Sequence, residues 1–373
     1  MPGNDNIRGI DAVKLGWAYV RSLVLPVGPR FLLVSPWGLG NSVLASPVLA
    51  ELGRLYPEVE RVLVGPVANV ALLDVPGLVD VAIPVEEPGV TLLRQGLHGH
   101  RQLLRYHNVA MNAFSTYDMG LSTLRRLRLV GKTASIQFSP EHSPAADCVI
   151  DFLPERHEAQ YNLEAVRCLG YDVDIKAMPE LFIQPEEESW ACGWLAERGL
   201  TPHKFALIHP GWVPEKALKS LPAALVRDLA GGLQERFPDN VALLLGASEQ
   251  AMADVLVRES KVEAVRLEGI PDVRKLAAVL SCATIVVSAD TGPMHIAAAG
   301  GSRVVGCFGP TSVTRSRPLG PSDRVAVVTH PDYADCANCC NRWNAKSCFW
   351  GRPCLRTLPV EGVLEKVAGL LDA

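Results

Sequence analysis

Residues 287–301 read VSADTGPMHIAAAGG. The β-branched run Thr284 to Ser288 leads into Asp290-Thr291-Gly292-Pro293-Met294-His295, and the small residues Ala297-Ala298-Ala299-Gly300-Gly301 follow. The first run predicts a strand, and the second a helix lying close to a sheet. Such a turn leaves helix N–H groups unpaired at the positive end of the helix dipole. It suits an anion, above all a phosphate. Thr291 can cap the helix, Gly292 lets the backbone approach an oxyanion, and His295 falls in the first turn, where it can donate to phosphate. The competing reading is an ordinary capped helix, with Asp290 and Thr291 as cap residues and His295 on the surface.

Working outward, the same alternation repeats. Phe205 to Ile208 predicts a strand, His209-Pro210-Gly211 a turn, and Pro222 to Phe237 a helix. Val241 to Leu245 predicts a strand ending at Gly246. Helices are expected from Glu249 and over 276–282, and a strand over 304–309. Earlier in the chain, Phe31 to Ser35 reads as a strand and Gly38-Leu39-Gly40-Asn41 as a glycine-rich turn. A helix over 42–55 and a strand at 62–64 complete a βαβ unit. Strands at 108–112 and 135–138, and helices over 155–170 and 355–371, fill out the pattern. Continuous Val/Ile/Leu strands alternating with helices predict parallel sheets covered on both faces. The fold class is therefore α/β: two Rossmann-like, doubly wound domains facing a cleft. Residues 1–178 form the first, with 1–29 as an amphipathic extension, and 187–373 the second. Residues 179–186 are the linker.

The chain has 373 residues, more than one core usually serves. Its formal charge of −4 gives no reason to expect nucleic acid as a partner. No apolar run reaches the roughly 18–20 residues of a membrane helix, and no secretory leader is expected at the start. Ile10, Val13, Trp17, Val20 and Val24 form a helical stripe. It can pack on the domain, on a second copy of the chain, or at a membrane interface. The basic run 94–132 is either a solvated face or a seat for an anionic acceptor at a membrane surface. Of ten cysteines, Cys148, Cys168, Cys192, Cys282 and Cys307 are scattered singly, which favours a reducing, cytoplasmic compartment.

Asp290 to His295, followed by Gly306-Cys307-Phe308-Gly309-Pro310-Thr311, resembles the signature of glycosyltransferase family 9, the lipopolysaccharide heptosyltransferases and their relatives. Four further pieces agree in order. These are Gly38-Leu39-Gly40-Asn41 through Ser46-Pro47, His209-Pro210-Gly211, Lys219-Ser220-Leu221-Pro222 (with Leu for the family's Trp), and Gly246 to Glu249. The resemblance spans roughly 30–370. It implies the GT-B fold and transfer of a sugar, with inversion, from a nucleoside diphosphate, ADP-heptose before others. The acceptor would be an envelope glycan, a lipopolysaccharide core or a protein, at the cytoplasmic face of the inner membrane. Thr291, Gly292 and His295 would hold the diphosphate and Asp290 would fix their loop. Lys219 would neutralise the leaving group, so that no divalent metal is needed. Glu249 would take the ribose hydroxyls, with His209, Gly211, Gly246, Pro293 and Met294 beside the donor. Read as bare residues, Lys219 can equally be a solvated lysine and Glu249 a helix-start acid.

The pattern breaks at Asn41, where the heptosyltransferases carry an Asp that serves as base. An amide cannot take a proton at neutral pH. Asn41 can orient the acceptor while His98, His100, His107, Asp118 or His209 acts as base. Alternatively, leaving-group departure can dominate the barrier, or the chain can bind nucleotide sugar without turnover. A nucleotide-sugar epimerase of the same fold is a further possibility. Asn41 itself also fits a plain helix N-cap.

The remaining cysteines follow Cys336-x2-Cys339-Cys340-x7-Cys348-x5-Cys354 within a loop at 331–354. Four thiolates at such spacings can enclose zinc or iron. The candidate ligands are Cys336, Cys339, Cys348 and Cys354, with Cys340 spare; disulfides or free thiols are the alternative. Some family relatives carry an iron-binding version of such a cluster. The N-terminal helix and this loop are both candidate contacts of a homo-oligomer.

Overall fold

The computed structural model describes residues 28–35, 38–85, 107–112, 129–137, 146–151, 153, 155–211, 218–246, 264–332, 348 and 353–373. The stripe at 10–24, nearly all of the basic run 94–132, Glu249, Cys336 and Cys339 lie outside these residues.

Two six-stranded parallel sheets organise the chain. The first contains β1 (Arg30–Val34), β2 (Glu60–Pro66), β3 (Val81–Val85), β4 (His107–Asn112), β5 (Val130–Gln137) and β6 (Cys148–Asp151), in the order β3-β2-β1-β4-β5-β6. The second contains β7 (Ala206–His209), β8 (Val241–Leu244), β9 (Val265–Leu267), β10 (Ile285–Ala289), β11 (Arg303–Phe308) and β12 (Val325–Thr329), in the order β12-β11-β10-β7-β8-β9. Each sheet starts at its centre, runs to one edge, then returns to build the other. The order reverses between β1 and β4 and again between β7 and β10. Ligands of doubly wound sheets bind at the carboxyl ends of the strands at such a reversal.

The helices are α1 (Leu39–Leu55), α2 (Val67–Leu73), α3 (Glu158–Cys168), α4 (Pro185–Ala196), α5 (Ala223–Gln234), α6 (Val273–Ser281), α7 (Gly292–Ala299), α8 (Val313–Ser316), α9 (Pro353–Arg356) and α10 (Val360–Leu371). In α5 the buried residues Leu225, Val226, Leu229, Ala230 and Leu233 recur at helical spacing and form one apolar face. That face meets Ile208, Val287 and, from α10, Val367 on one side of the second sheet. The opposite side shares a core with the first half of the chain. Leu52 of α1 and Leu163 of α3 belong to the same buried cluster as Ala278 of α6 and Ile296 of α7. Among the described residues, no helix is long and apolar enough to cross a membrane.

Several expectations need correction. α1 starts at Leu39 with Gly38 at the cap, so Asn41 lies inside the first turn and is not the N-cap. Pro185 and Glu186, expected in the linker, open α4, because proline at the first helical position loses no hydrogen bond. The last helix is two, α9 and α10, because Pro359 cannot continue the first. Cys148 and Cys168, expected as single thiols, are disulfide-bonded; β6 and the end of α3 place their Cα atoms 6.1 Å apart. Their 20-residue separation in sequence gives no hint of that approach.

Arg274 of α6 ties the linker to both halves. Its guanidinium donates to the Glu187 carboxylate (2.8 Å), to the Phe182 carbonyl (2.6 Å), and to the Leu72 carbonyl at the end of α2 (3.1 Å). Arg274→Ala strands a carboxylate and two carbonyls, and urea denaturation should show a loss of about 2–4 kcal/mol. A loss below about 0.5 kcal/mol would mean that water replaces these bonds freely.

Candidate functional site

The residues that suit an anion sit where the second sheet reverses. Ser288 of β10 pairs with His209 of β7, so both strands deliver their next residues to one edge. From β7 the chain turns through Gly211, at φ +72°. An alanine Cβ there would stand 2.6 Å from Ala289 Cβ and 2.9 Å from Thr291 Cγ2, so the turn needs glycine for both conformation and space. The Ser220 hydroxyl donates to the Gly211 carbonyl (2.8 Å), and the Leu221 N–H donates to the Pro210 carbonyl (2.9 Å). These bonds hold the segment that follows Lys219 against the turn after β7.

Lys219 Nζ lies 2.8 Å from Asp290 Oδ2. Asp290 is buried, while Lys219 remains partly open to solvent. Burial alone would raise the Asp290 carboxyl, but the charge of Lys219 and its hydrogen bond hold it below its usual range. His295 Nε2 stands 4.0 Å from Asp290 Oδ1, too far for a hydrogen bond. Burial pushes the His295 imidazole down to about 4 despite the carboxylate nearby. The ring is therefore neutral at pH 7, and its Nδ1 is buried with no hydrogen-bond partner among the described residues. Thr291 occupies the N-cap of α7, yet its hydroxyl donates to the Ala289 carbonyl (3.3 Å) and caps no N–H. The first amides of α7 are left without a side-chain cap.

The first sheet brings its own glycine turn to the same place. A Cβ on Gly40 would sit 2.8 Å from His295 Cδ2, and one on Gly292 would sit 3.1 Å from Leu39 Cβ. The starts of α1 and α7 therefore touch. Asn41 lies one residue further into α1, partly buried, its N–H bonded to the Gly38 carbonyl (2.9 Å).

The sequence reading missed the contribution of α3. Glu158 opens this helix, fully buried, with Oε1 3.2 Å from Arg315 Nε in the second half. Burial pushes its carboxyl up to about 7, against the pull of Arg315; Asp290 raises it further and Lys219 lowers it. His157 caps α3: its Nδ1 accepts from the Ala159 N–H (3.2 Å), so its Nε2 carries the proton and donates to the Arg317 carbonyl (2.9 Å). Burial lowers this imidazole to about 4. The signal available in the sequence was His157-x-x-Gln160, a capping box with an unusual histidine cap.

Other expected residues fall elsewhere. Met294 points under the helix into the core, its Sδ against Gly306, so it can serve a ligand only through its backbone. Pro293 occupies the first turn of α7, and Gly246 is exposed just after β8. Among the candidate bases, His107 is the first residue of β4, at the amino end, away from the strand ends that face the cleft. His209 Nδ1 donates to the Leu244 carbonyl (3.3 Å). His98, His100 and Asp118 lie outside the described residues. Cys354 is buried beneath Gly309 and Cys348 is half-buried, while the other two expected metal ligands are outside the described residues.

The sequence model of glycosyltransferase family 9 (heptosyltransferase) matches residues 157–344. A family 9 glycosyl transferase from Veillonella parvula DSM 2008 superposes with a TM-score of 0.73 at 18% identity, over 94% of this chain and 99% of that one. The E. coli ADP-heptose lipopolysaccharide heptosyltransferase II superposes with a TM-score of 0.67 at 18% identity, over 92% and 98%. The iron-containing dodecameric glycosyltransferase TibC of enterotoxigenic E. coli H10407 reaches 0.55 at 14% identity, over 94% and 78%. The fold common to these matches is GT-B. No curated protein sequence matches the chain.

The buried imidazoles make the folded state acid-sensitive. An unfolded histidine takes its proton near pH 6.5, and folded His295 only near 4, so its contribution is full above 6.5 and is lost as pH falls towards 4. Glu158 works in the opposite sense, its contribution being present below 4.5 and lost as pH rises through 7. Between pH 7 and 4.5, His295→Gln should lose about 2–3 kcal/mol less stability than the unaltered chain. Urea titrations at the two pH values read this difference, and equal losses would mean that His295 takes its proton in the fold as readily as in the unfolded chain.

Proposed function

The chain belongs to glycosyltransferase family 9, and on that premise we propose that it transfers a heptose-like sugar, with inversion, from a nucleoside diphosphate to an acceptor hydroxyl. An ADP-sugar is the first choice of donor. The acceptor is an envelope glycan, a lipopolysaccharide core or a protein. The observation that carries this reading is the Lys219–Asp290–His295 cluster at the uncapped start of α7, pressed against the glycine turn of α1. Lys219 gives one N–H to Asp290 and keeps two for diphosphate oxygens. The first amides of α7 add further donors at the positive end of the helix. His295 donates as a neutral imidazole, its orphaned Nδ1 being the atom free to gain a partner. These groups offset the charge that grows on the leaving diphosphate, so a divalent cation is not required for that role. Glu249 is assigned to the ribose by resemblance alone.

The acceptor hydroxyl must still lose a proton, and Asn41 cannot take it. Glu158 has an ionisation near 7 and lies within the influence of Asp290 and Lys219, which suits a general base. Asn41 then orients the acceptor. The same proposal places the protein in the cytoplasm, peripheral to the inner membrane face, with a second copy of the chain as a candidate partner. Asn41 also supports a second reading, a member of a glycan-assembly complex that binds nucleotide sugar without turning it over.

Release of nucleotide from ADP-, UDP- and GDP-sugars, with glycan and protein acceptors supplied, separates these readings. Lys219→Ala should lower kcat about 10²–10³-fold with a smaller change in KM. Glu158→Gln should lower kcat about 10²–10⁴-fold and remove an ionisation near pH 7 from the rate profile. Asn41→Asp should be no faster than the natural chain. Nucleotide binding without release from any donor would favour the non-catalytic reading.

A further inference from the structure

The second sheet has another cluster at its opposite edge. His203 lies three residues before β7 and Cys282 three before β10, so both stand at the amino ends of the strands whose carboxyl ends carry Gly211 and Asp290. Strands of this length put the two edges about 15 Å apart. Three elements converge there. α4 contributes Glu188 and Cys192, four residues apart on one face. α6 ends at Cys282, its C-cap. The loop before β7 contributes His203 in the left-handed region, at φ +59°. A non-glycine residue there is strained, and it persists where its surroundings fix it. Here its N–H donates to the Cys282 carbonyl (2.8 Å) and its own carbonyl accepts from the Thr284 hydroxyl (2.8 Å). The His203 backbone is thus clamped to Cys282 and to Thr284, beside the thiols.

The Sγ atoms of Cys192 and Cys282 are 4.0 Å apart. Both sulfurs and one ring nitrogen of His203 lie within 4.8 Å of one another. In a tetrahedral zinc site, with bonds of about 2.3 Å to sulfur and 2.0 Å to nitrogen, ligand atoms stand about 3.5–3.8 Å apart. The cluster needs only small rotations to reach that spacing. Glu188 Oε1 stands beside the cluster, 3.6 Å from His203 Nε2. Cys282 is buried, Cys192 partly exposed and His203 exposed, so the site is closed below and open to an entering ion.

We propose that Cys192, Cys282 and His203, completed by Glu188 or a water, form a structural zinc site that fastens α4 to the end of α6. Binding releases two thiol protons to solvent and leaves the imidazole neutral. α4 follows the linker directly, and Arg274 of α6 already holds Glu187 of the same helix. The ion would thus anchor α4, beside the linker, to the amino edge of the second sheet. It is independent of the cysteines between 336 and 354.

The test uses the full chain, stripped of metal under reductant and titrated with Zn²⁺ against a chromophoric chelator. The C336S/C339S form should still bind one equivalent tightly. Cys192→Ser and His203→Ala, at accessible positions, should each weaken that equivalent at least tenfold. Co²⁺ should give tetrahedral and thiolate charge-transfer bands that Cys192→Ser removes. If C336S/C339S misfolds, the loss of one equivalent between the natural chain and His203→Ala decides. Zinc stoichiometry and affinity unchanged by both Cys192→Ser and His203→Ala would overturn the proposal. So would recovery of Cys192 and Cys282 crosslinked to each other after zinc loading.

Discussion

The start of α1 and the start of α7 meet at Gly40 and Gly292, and much of the molecule is arranged around that contact. Two helix N-termini brought together place two positive dipole ends side by side. Glycine eases the approach, since a methyl group at Gly40 would strike His295 and one at Gly292 would press on Leu39. The Asp290 carboxylate, buried at the α7 end, supplies negative charge, and Lys219 makes its burial tolerable. Leu52, Leu163, Ala278 and Ile296 then share one core across the two halves. The Glu158–Arg315 pair closes the same boundary from another side.

The α/β plan was legible because central parallel strands are buried on both faces. Runs such as Phe31 to Val34 and Ile285 to Val287 therefore read as unbroken apolar stretches. The outer strands were not legible. β3 contains Pro84, β6 ends in Asp151, and β9 is Val265-Arg266-Leu267, each too short or too polar to stand out. At the site, the fold brings Lys219, Asp290 and His295 together. The neutrality of His295 did not show in the sequence, because burial sets it, and burial depends on α1 closing over α7. Glu158 was missed for a similar reason, being one acid among several at a helix start until the fold sets it against Arg315. Met294 shows the converse: a motif residue whose side chain serves packing rather than ligand.

Each edge of the second sheet has a distinct character. The carboxyl edge gathers turns with glycine and charge, open to a ligand. The amino edge gathers thiols and an imidazole from α4, α6 and the loop between α4 and β7. Between them, β7 and β10 are fully buried and make a rigid spacer, so what happens at one edge can be altered without redesign of the other. Asn41 fits this division. It is held in the first turn of α1, beside the start of α7, where its amide is available to a ligand hydroxyl.

The central claim is that a nucleoside diphosphate binds where α7 and α1 meet. Calorimetric titration of the full chain with ADP, UDP and GDP in turn, beside His295→Ala, tests it most directly. Saturable binding of one nucleotide, ADP before the others, at least tenfold weaker in His295→Ala, is the predicted result. Flat heats for all three, or an affinity indifferent to His295, would contradict it.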